Sequence, residues 1–134
     1  MKVAAEDIVC YKMLKVDRTN NGIRTPVANV KVPYDILNGG IPFYADKSHI
    51  HREKLINNNK SIFYEIEKGF IHAWSTEYEA KSYVYKFATN ACFNTYWKAV
   101  LYKCVIPKGT RYYTDIYSEQ YASDCIIFKE KLDF

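Results

Sequence analysis

Glycine is scarce in this chain and is nowhere clustered. The five glycines are Gly22, Gly39, Gly40, Gly69 and Gly109. With this spacing the chain can form neither a Walker phosphate loop nor a dinucleotide-binding fingerprint. The G-x-S-x-G elbow of hydrolases and the H-E-x-x-H motif of zinc proteases are missing as well. The sequence therefore predicts none of these common catalytic sites.

Cysteine and histidine are also too sparse and too scattered to predict a metal site. The four cysteines are Cys10, Cys92, Cys104 and Cys125. Each lies in an apolar context, without a C-x-x-C pair or a Cys/His cluster at ligand spacing, so we expect buried, reduced thiols. His49 and His51 alternate in a polar segment with no third ligand nearby. We expect no metal and no cofactor.

Long apolar runs are absent, which excludes a membrane-spanning helix. No stretch approaches the roughly 18 apolar residues that such a helix needs, and Glu6 and Asp7 interrupt the N-terminus before a signal peptide could form. A length of 134 residues suits one domain with its own core. We therefore predict a single domain, 1–134, in the cytoplasm.

The charge is only mildly basic, with 19 Lys and Arg against 15 Asp and Glu, for a net charge of +4. This balance does not favour binding to a nucleic acid polymer. Only four of the basic residues are arginines: Arg18, Arg24, Arg52 and Arg111. Each arginine is a possible planar, bidentate donor for an anion, although a surface role is the ordinary alternative.

Aromatic residues are abundant, with 13 tyrosines, seven phenylalanines and two tryptophans making up 16% of the chain. Tyrosine combines an apolar ring with a polar tip and suits protein interfaces and nucleobase pockets. The alternative is that tyrosine fits a pleated surface, as in any β-rich fold. Both interpretations stay open from the sequence alone.

The hydrophobic pattern predicts an α+β fold: a curved, mostly antiparallel β-sheet with one main helix packed on it. The clearest helix is 76–91, because Thr76 and Glu79 have capping-box spacing and apolar residues recur on one stripe. That stripe should bury Ala80, Val84, Phe87 and Ala91. Predicted strands are 7–16, 23–28, 41–45, 61–74, 95–106, 111–114 and 125–129, with a weaker helix within 46–59.

The segment Tyr102-Lys103-Cys104-Val105-Ile106-Pro107-Lys108-Gly109-Thr110-Arg111-Tyr112 resembles the late strand-turn-strand of ADP-ribosyltransferase-like folds. In the active enzymes of that group, a catalytic glutamate precedes the apolar run, at the place that Lys103 occupies here. A lysine would oppose the positive charge that develops on the ribose during transfer. The resemblance therefore implies a fold suited to an ADP-ribose-like ligand without the group that cleaves it.

The size, the β-rich layout with one main helix, the Lys-, Asn-, Ile- and Tyr-rich composition and the spaced arginines are similar to the phage-encoded Thoeris anti-defence sponge proteins. Members of that family bind cyclic ADP-ribose signals and hold them uncleaved, as homo-oligomers. The resemblance implies sequestration of a small anionic nucleotide in the host cell cytoplasm. The alternatives are an ADP-ribosyltransferase-like or nucleotide-hydrolysing enzyme, and a tyrosine-rich inhibitor that binds a host defence complex.

The expected ligand-binding residues follow from what such a nucleotide requires, namely a guanidinium fork, an aromatic plate and amide partners. They are Arg111, Tyr112, Tyr113, Asn90, Trp74, Arg24 and Arg52. The ordinary alternatives are a surface strand position for Arg111, a helix cap for Asn90 and a core position for Trp74. No catalytic residue is predicted.

Overall fold

An antiparallel β-sheet is the largest part of the fold, and helices pack against it. The computed structural model describes residues 2–26, 29–45, 54–57, 62–65, 70–115, 117 and 119–133. The strands are β1 (Lys2–Val3), β2 (Ile8–Asp17), β3 (Ile23–Arg24), β4 (Phe43–Tyr44), β5 (Lys54–Asn57), β6 (Ile62–Glu65), β7 (Ile71–Trp74), β8 (Trp97–Ile106), β9 (Arg111–Thr114), β10 (Gln120–Ser123) and β11 (Cys125–Leu132). The helices are α1 (Tyr34–Gly39), α2 (Glu77–Ala88) and α3 (Ala91–Tyr96). The predicted α+β class is confirmed.

The main sheet has the strand order β1-β9-β10-β7-β2-β8-β11-β4, with β3 paired to β2, while β5 and β6 pair with each other. Strands β1 and β2 are joined only by residues 4–7, yet they lie four places apart in this order. A flat sheet would separate them by about 19 Å. Because so short a connection barely reaches across that distance, the sheet has to curve so that β1 approaches β2.

Backbone hydrogen bonds hold the two short connections side by side. The 4–7 connection meets the turn at 107–110, which joins β8 to β9: the amide of Ala4 donates to the carbonyl oxygen of Thr110 at 2.9 Å, and that of Gly109 to the carbonyl oxygen of Ala4 at 2.8 Å. The left-handed backbone of Gly109, with φ of 88°, favours glycine at this tight turn.

The folding divides the sheet into two halves. The first half-sheet contains β1, β9, β10 and β7, and the second contains β2, β8, β11 and β4, with β3 beside β2. A single register pair, Tyr11 opposite Trp74, joins the halves between β2 and β7. The side of the sheet that faces across the fold is called here the inner face, and the other side the outer face.

Each face carries a hydrophobic cluster of its own. The inner face buries Ala4, Cys10, Leu14, Val32, Leu37, Phe43, Ile71, Ala73, Val100, Cys104, Ile106, Ile126 and Phe128. On the outer face, Met13 and Leu101 of the second half-sheet pack against Ala80 and Val84 of α2. Alternation along β2 and β8 therefore supplies apolar side chains to both sides.

Helix α2 begins at Thr76, as its capping residues predict, and the Thr76 hydroxyl accepts the amide of Glu79 at 3.2 Å. Ala80 and Val84 are buried as expected, and Phe87 packs against the same cluster. The burial predicted for Ala91 is wrong. The helix ends at Ala88, and Ala91 opens α3 as an exposed residue.

Other elements also differ from the prediction, and α1 was not predicted at all. Lys54–Asn57 is a strand and not part of a helix, and the rest of the predicted 46–59 helix lies outside the described residues. Strand β8 begins at Trp97 because α3 occupies the preceding residues. Strand β10 is absent from the sequence prediction, since its residues Gln120–Ser123 show no clear apolar alternation.

None of the helices in the described part of the chain is long and apolar enough to cross a membrane.

Candidate functional site

Arg111, the main predicted ligand residue, is held by a carboxylate. Its Nε lies 2.6 Å from Oδ2 of Asp124 and its Nη2 3.4 Å from Oδ1. The Asp124 amide also donates to the Arg111 carbonyl oxygen at 3.1 Å. The guanidinium lies 5.8 Å from the centre of the Phe70 ring, and the side chain is 40% exposed. The negative charge of Asp124 therefore offsets much of the positive charge with which Arg111 would attract an anionic ligand.

Tyr112 and Tyr113 point to opposite sides of β9, as neighbouring strand residues must. Tyr113 shares the outer face with Arg111 and packs on Phe70, with ring centres 5.4 Å apart. Tyr112 belongs to the inner face, where its ring meets Tyr121 edge-on at 5.9 Å. Tyr112 and Tyr113 therefore cannot both contact a ligand that Arg111 binds. This differs from the prediction made from the sequence.

Trp74 and Asn90 have structural partners of their own. Trp74 begins a chain of aromatic contacts that runs beside α2, with ring centres at 5.4, 5.0 and 4.9 Å, through Tyr83, Phe87 and Phe93. Asn90 is the N-cap of α3, because its side-chain oxygen accepts the amide of Phe93 at 3.0 Å. Trp74 therefore takes the core alternative, and Asn90 caps a helix start and not a helix end.

Arg24 lies on β3, and its Nη1 donates to the carbonyl oxygen of Asn29 at 2.9 Å. Arg52 lies outside the described residues. Of the predicted ligand residues that the structure describes, only Arg111 and Tyr113 share one neighbourhood. The predicted set therefore does not assemble into a single site.

The inner face contains a different cluster, which we call the polar row. It crosses five neighbouring strands and consists of Thr114, Tyr121, Ala73, Lys12 and Tyr102. The register places Tyr121 opposite both Thr114 and Ala73, and Lys12 opposite Tyr102. Ala73 lies beside Lys12 because their neighbours Trp74 and Tyr11 pair directly. Directly opposed residues share a face, so these side chains lie side by side.

Lys12 is the unusual member of the polar row, because it is only 5% exposed. Its Nζ donates to the carbonyl oxygen of His72 at 2.6 Å. The adjacent positions on β2 are Cys10 and Leu14, both fully buried and apolar. Withdrawing an ammonium group from water costs several kcal/mol unless it is well compensated. The bond to the His72 carbonyl supplies part of this compensation, and the polar row is the candidate site around the buried ammonium.

The two tyrosines of the polar row are partly exposed and neutral. Burial raises the pKa of Tyr121, and the nearby Cys10 raises it further. Burial likewise raises the pKa of Tyr102, with a smaller contribution from Tyr34. Both phenols therefore keep their protons at neutral pH and can donate hydrogen bonds. Between them, Ala73 brings only a methyl group, which leaves the rings and the ammonium as the larger groups of the row.

A pair of thiols borders the polar row. Cys10 and Cys104 lie directly opposite each other on β2 and β8, and both are fully buried. Burial raises the pKa of Cys104 well above the ordinary thiol value, and a hydrogen bond with Cys10 adds to this. Neutral buried thiols are poor nucleophiles. Cys125 is buried too, whereas Cys92 is exposed, so the prediction of four buried thiols is wrong at Cys92.

The polar row can do two things chemically. Its ammonium can bind an anionic group, and its phenol rings can contact a planar group and donate hydrogen bonds. Within the described ranges, no group of three or more His, Cys, Asp and Glu side chains could hold a metal ion.

The sequence did contain a signal for Lys12. It lies between Cys10 and Leu14 in a strand whose alternate residues point to one side, so the pattern assigns it to a buried face. Tyr102 and Tyr121 carried no such signal, because only the strand register shows which tyrosines lie beside Lys12.

Comparison of the chain with protein-family models, with curated proteins and with solved structures gives no match. The argument for a function therefore rests on the geometry of the described residues.

Proposed function

We propose that the protein binds a small nucleotide-like anion on its inner face and holds it without chemical change. The observation that carries the proposal is the buried ammonium of Lys12, which lies in one row with two partly exposed tyrosines. A nucleotide combines an anionic phosphate with a planar base. Those two parts match the two kinds of group that the polar row offers.

Two features favour binding over catalysis. Burial raises the pKa of the Cys104 thiol, so this thiol does not supply an activated nucleophile beside the row. Lys103, at the place that the glutamate occupies in ADP-ribosyltransferase-like enzymes, lies between Tyr102 and Cys104 on β8 and therefore faces the outer side. Its ammonium is thus directed away from the proposed ligand.

In its finer form, the proposed ligand is a cyclic nucleotide signal of the cyclic ADP-ribose type. The protein would sequester this signal in the cytoplasm of a bacterial host and so block anti-phage signalling, and it would act as a homo-oligomer. This form of the proposal rests on the resemblance to sponge proteins. The polar row supports only the general ligand chemistry, an anion joined to a planar ring.

The direct test is a thermal-shift screen with cyclic ADP-ribose isomers, NAD, ADP-ribose and cyclic dinucleotides. A ligand at a hundredfold excess over its Kd should add about 2.7 kcal/mol to the free energy of unfolding. The bound ligand is then released by heat and analysed by chromatography. Intact ligand supports sequestration, whereas nicotinamide or a linear product would show an enzyme. No shift with any member of the panel would contradict the proposal.

The location of the site is tested with Lys12→Met, which removes the charge and keeps a similar shape. Its matched control is Lys103→Met, which makes the same change on the adjacent strand but on the outer face. We expect Lys12→Met to weaken nucleotide binding by about tenfold or more, as for loss of a charge-assisted contact. Lys103→Met should bind like the wild type. Equal losses in both variants would place the ligand elsewhere.

A further inference from the structure

A second row of charge lies on the outer face and is separate from the polar row. In β2 and β3, Lys15 is directly opposite Arg24. Arg24 is in turn opposite Lys31, through an isolated antiparallel bridge. Opposed residues of antiparallel strands point to the same side, so the three cations stand next to one another. We call this set the cationic row.

The neighbouring residues fix the side on which the cationic row lies. Val16, Ile23 and Val32 alternate with the three cations along the chain, and all of them pack into the inner cluster. The cations must therefore point outward, because successive strand residues face opposite sides.

Like charges directly opposite each other destabilise a sheet. In this row, Arg24 contributes to lowering the pKa of Lys15, after the larger effect of burial. The contribution of Arg24 reflects repulsion between the two neighbouring cations. Within the described part of the chain, none of the three cations makes an ion pair.

The groups around the cationic row hold it in place, and Arg24 also helps to lower the pKa of the Asp17 carboxyl. Nζ of Lys15 lies 4.3 Å from the centre of the Trp97 ring, and Nη1 of Arg24 donates to the carbonyl oxygen of Asn29. The nearest acid in sequence, Asp17, has its Oδ1 engaged by the amide of Thr19 at 2.8 Å and by the Thr19 hydroxyl at 2.6 Å. The carboxylate is therefore occupied in the turn that follows β2.

We propose that the cationic row binds a compact polyanion made of linked phosphates, of the pyrophosphate or triphosphate type. Three cations spaced at strand distance, about 5 Å apart, can contact several charged oxygens of one such chain. Binding would also relieve the repulsion among the cations. This inference does not depend on the proposed function, since the two rows lie on opposite faces of β2.

The first test measures the binding of inorganic tripolyphosphate by calorimetry and by thermal shift, at low salt and at physiological salt. We expect a rise in Tm that becomes smaller as salt increases, because ions screen exposed charges. Parallel arms use ATP and a single-stranded oligonucleotide. If ATP binds as well as tripolyphosphate does, a nucleotide can supply the phosphates. Binding of the oligonucleotide alone, or of none of these probes, would overturn the proposal.

The second test uses Arg24→Gln with Arg18→Gln as its matched control. Glutamine at position 24 keeps a polar donor group, and both variants lose one positive charge. Arg18 lies at the same end of the fold, but its Nε contacts the Trp97 carbonyl at 3.2 Å and it is not part of the cationic row. We expect Arg24→Gln to weaken tripolyphosphate binding about tenfold. Arg18→Gln should stay within about twofold, as a distant exposed charge does.

Two readouts distinguish a binding site from a structural role. If the cations repel one another, free Arg24→Gln should have a Tm equal to or above that of the wild type. A lower Tm with unchanged tripolyphosphate affinity would show that Arg24 is structural and would overturn the proposal. The Lys12→Met variant should keep its tripolyphosphate affinity. Loss of affinity in that variant would move the site to the polar row.

Discussion

Strands β2 and β8 present two very different faces with the same register. On the outer face, Met13 and Leu101 meet the apolar side chains of α2. On the inner face, the pair Lys12–Tyr102 lies between the apolar pairs Cys10–Cys104 and Leu14–Val100. The outer face is thus a continuous apolar contact, whereas the polar row interrupts the apolar inner face.

The outer face mainly stabilises the fold, whereas the inner face carries the candidate binding groups. Fully burying a valine or leucine side chain contributes about 1.5–3 kcal/mol, so the outer contact with α2 stabilises the protein. A buried ammonium has the opposite effect, since its desolvation costs several kcal/mol. Stability alone would favour an apolar residue at position 12, which is why we connect Lys12 with ligand binding.

The largest effect is expected on the outer face, from Val84→Asp. Val84 is fully buried against Met13 and Leu101, so the aspartate would place an unpaired charge in the apolar contact at a cost of more than about 4 kcal/mol. We expect loss of cooperative folding, measured by circular dichroism. The control is Tyr85→Asp at a 57% exposed position of the same helix. A folded Val84→Asp protein would show that this face is not the main source of stability.

A smaller effect of opposite sign is expected on the inner face, from Lys12→Met. The substitution removes the desolvation cost of the ammonium, several kcal/mol, and also removes one hydrogen bond to the His72 carbonyl oxygen, about 1.5–3 kcal/mol. We expect the free energy of unfolding in urea to stay the same or to rise, with Lys103→Met as the control. A clear decrease confined to Lys12→Met would show that the ammonium and its bond to His72 stabilise the fold, and the contrast between the faces would be lost.

A weaker effect on stability is expected at Arg111, which belongs neither to the contact with α2 nor to the polar row. Because its side chain is 40% exposed, the ion pair with Asp124 should contribute only about 0.5–1 kcal/mol. Arg111→Ala, Asp124→Asn and the double variant form a cycle that measures this coupling in urea. A loss of nucleotide affinity in Arg111→Ala without any change in stability would instead return Arg111 to the ligand site.

The last prediction concerns thiol reactivity, for which no change in stability is involved. In the native protein, a thiol reagent at pH 8 should modify Cys92 rapidly and the three buried cysteines slowly. Burial raises the pKa of Cys104 and Cys125, so their reactive thiolates form only at a pH above the ordinary thiol range. Peptide mapping by mass spectrometry identifies the modified residue. Rapid labelling of Cys10 or Cys104 would show that the inner face opens readily.

Local sequence patterns predicted the elements that local physics determines. Thr76 and Glu79 marked the start of α2, and the β-forming residues after Asp7 marked β2, because caps and strand propensity act within one segment. The break between Ala88 and Ala91 was missed. Asn90 can cap a new helix as well as end an old one, and the sequence does not decide between the two.

The candidate site was largely outside the reach of the sequence, because it depends on register. Arg111 and Tyr112 are adjacent in the chain, yet they point to opposite faces. Lys12 and Tyr121 are far apart in the chain, yet they belong to one row. A single sequence shows which residues alternate, but the pairing of distant strands decides which of them meet.

The short connections at 4–7 and 107–110 have a consequence for the order of folding. They send β1 and β9 to the first half-sheet and β2 and β8 to the second, so that Lys2 pairs with Tyr112 and Ile8 with Ile106. Pairings of such high sequence separation make folding slow, on the scale of milliseconds to seconds. During synthesis, β2 leaves the ribosome early and cannot pair with β8 until β8 has been made. Neither half-sheet can be completed until the last third of the chain has left the ribosome.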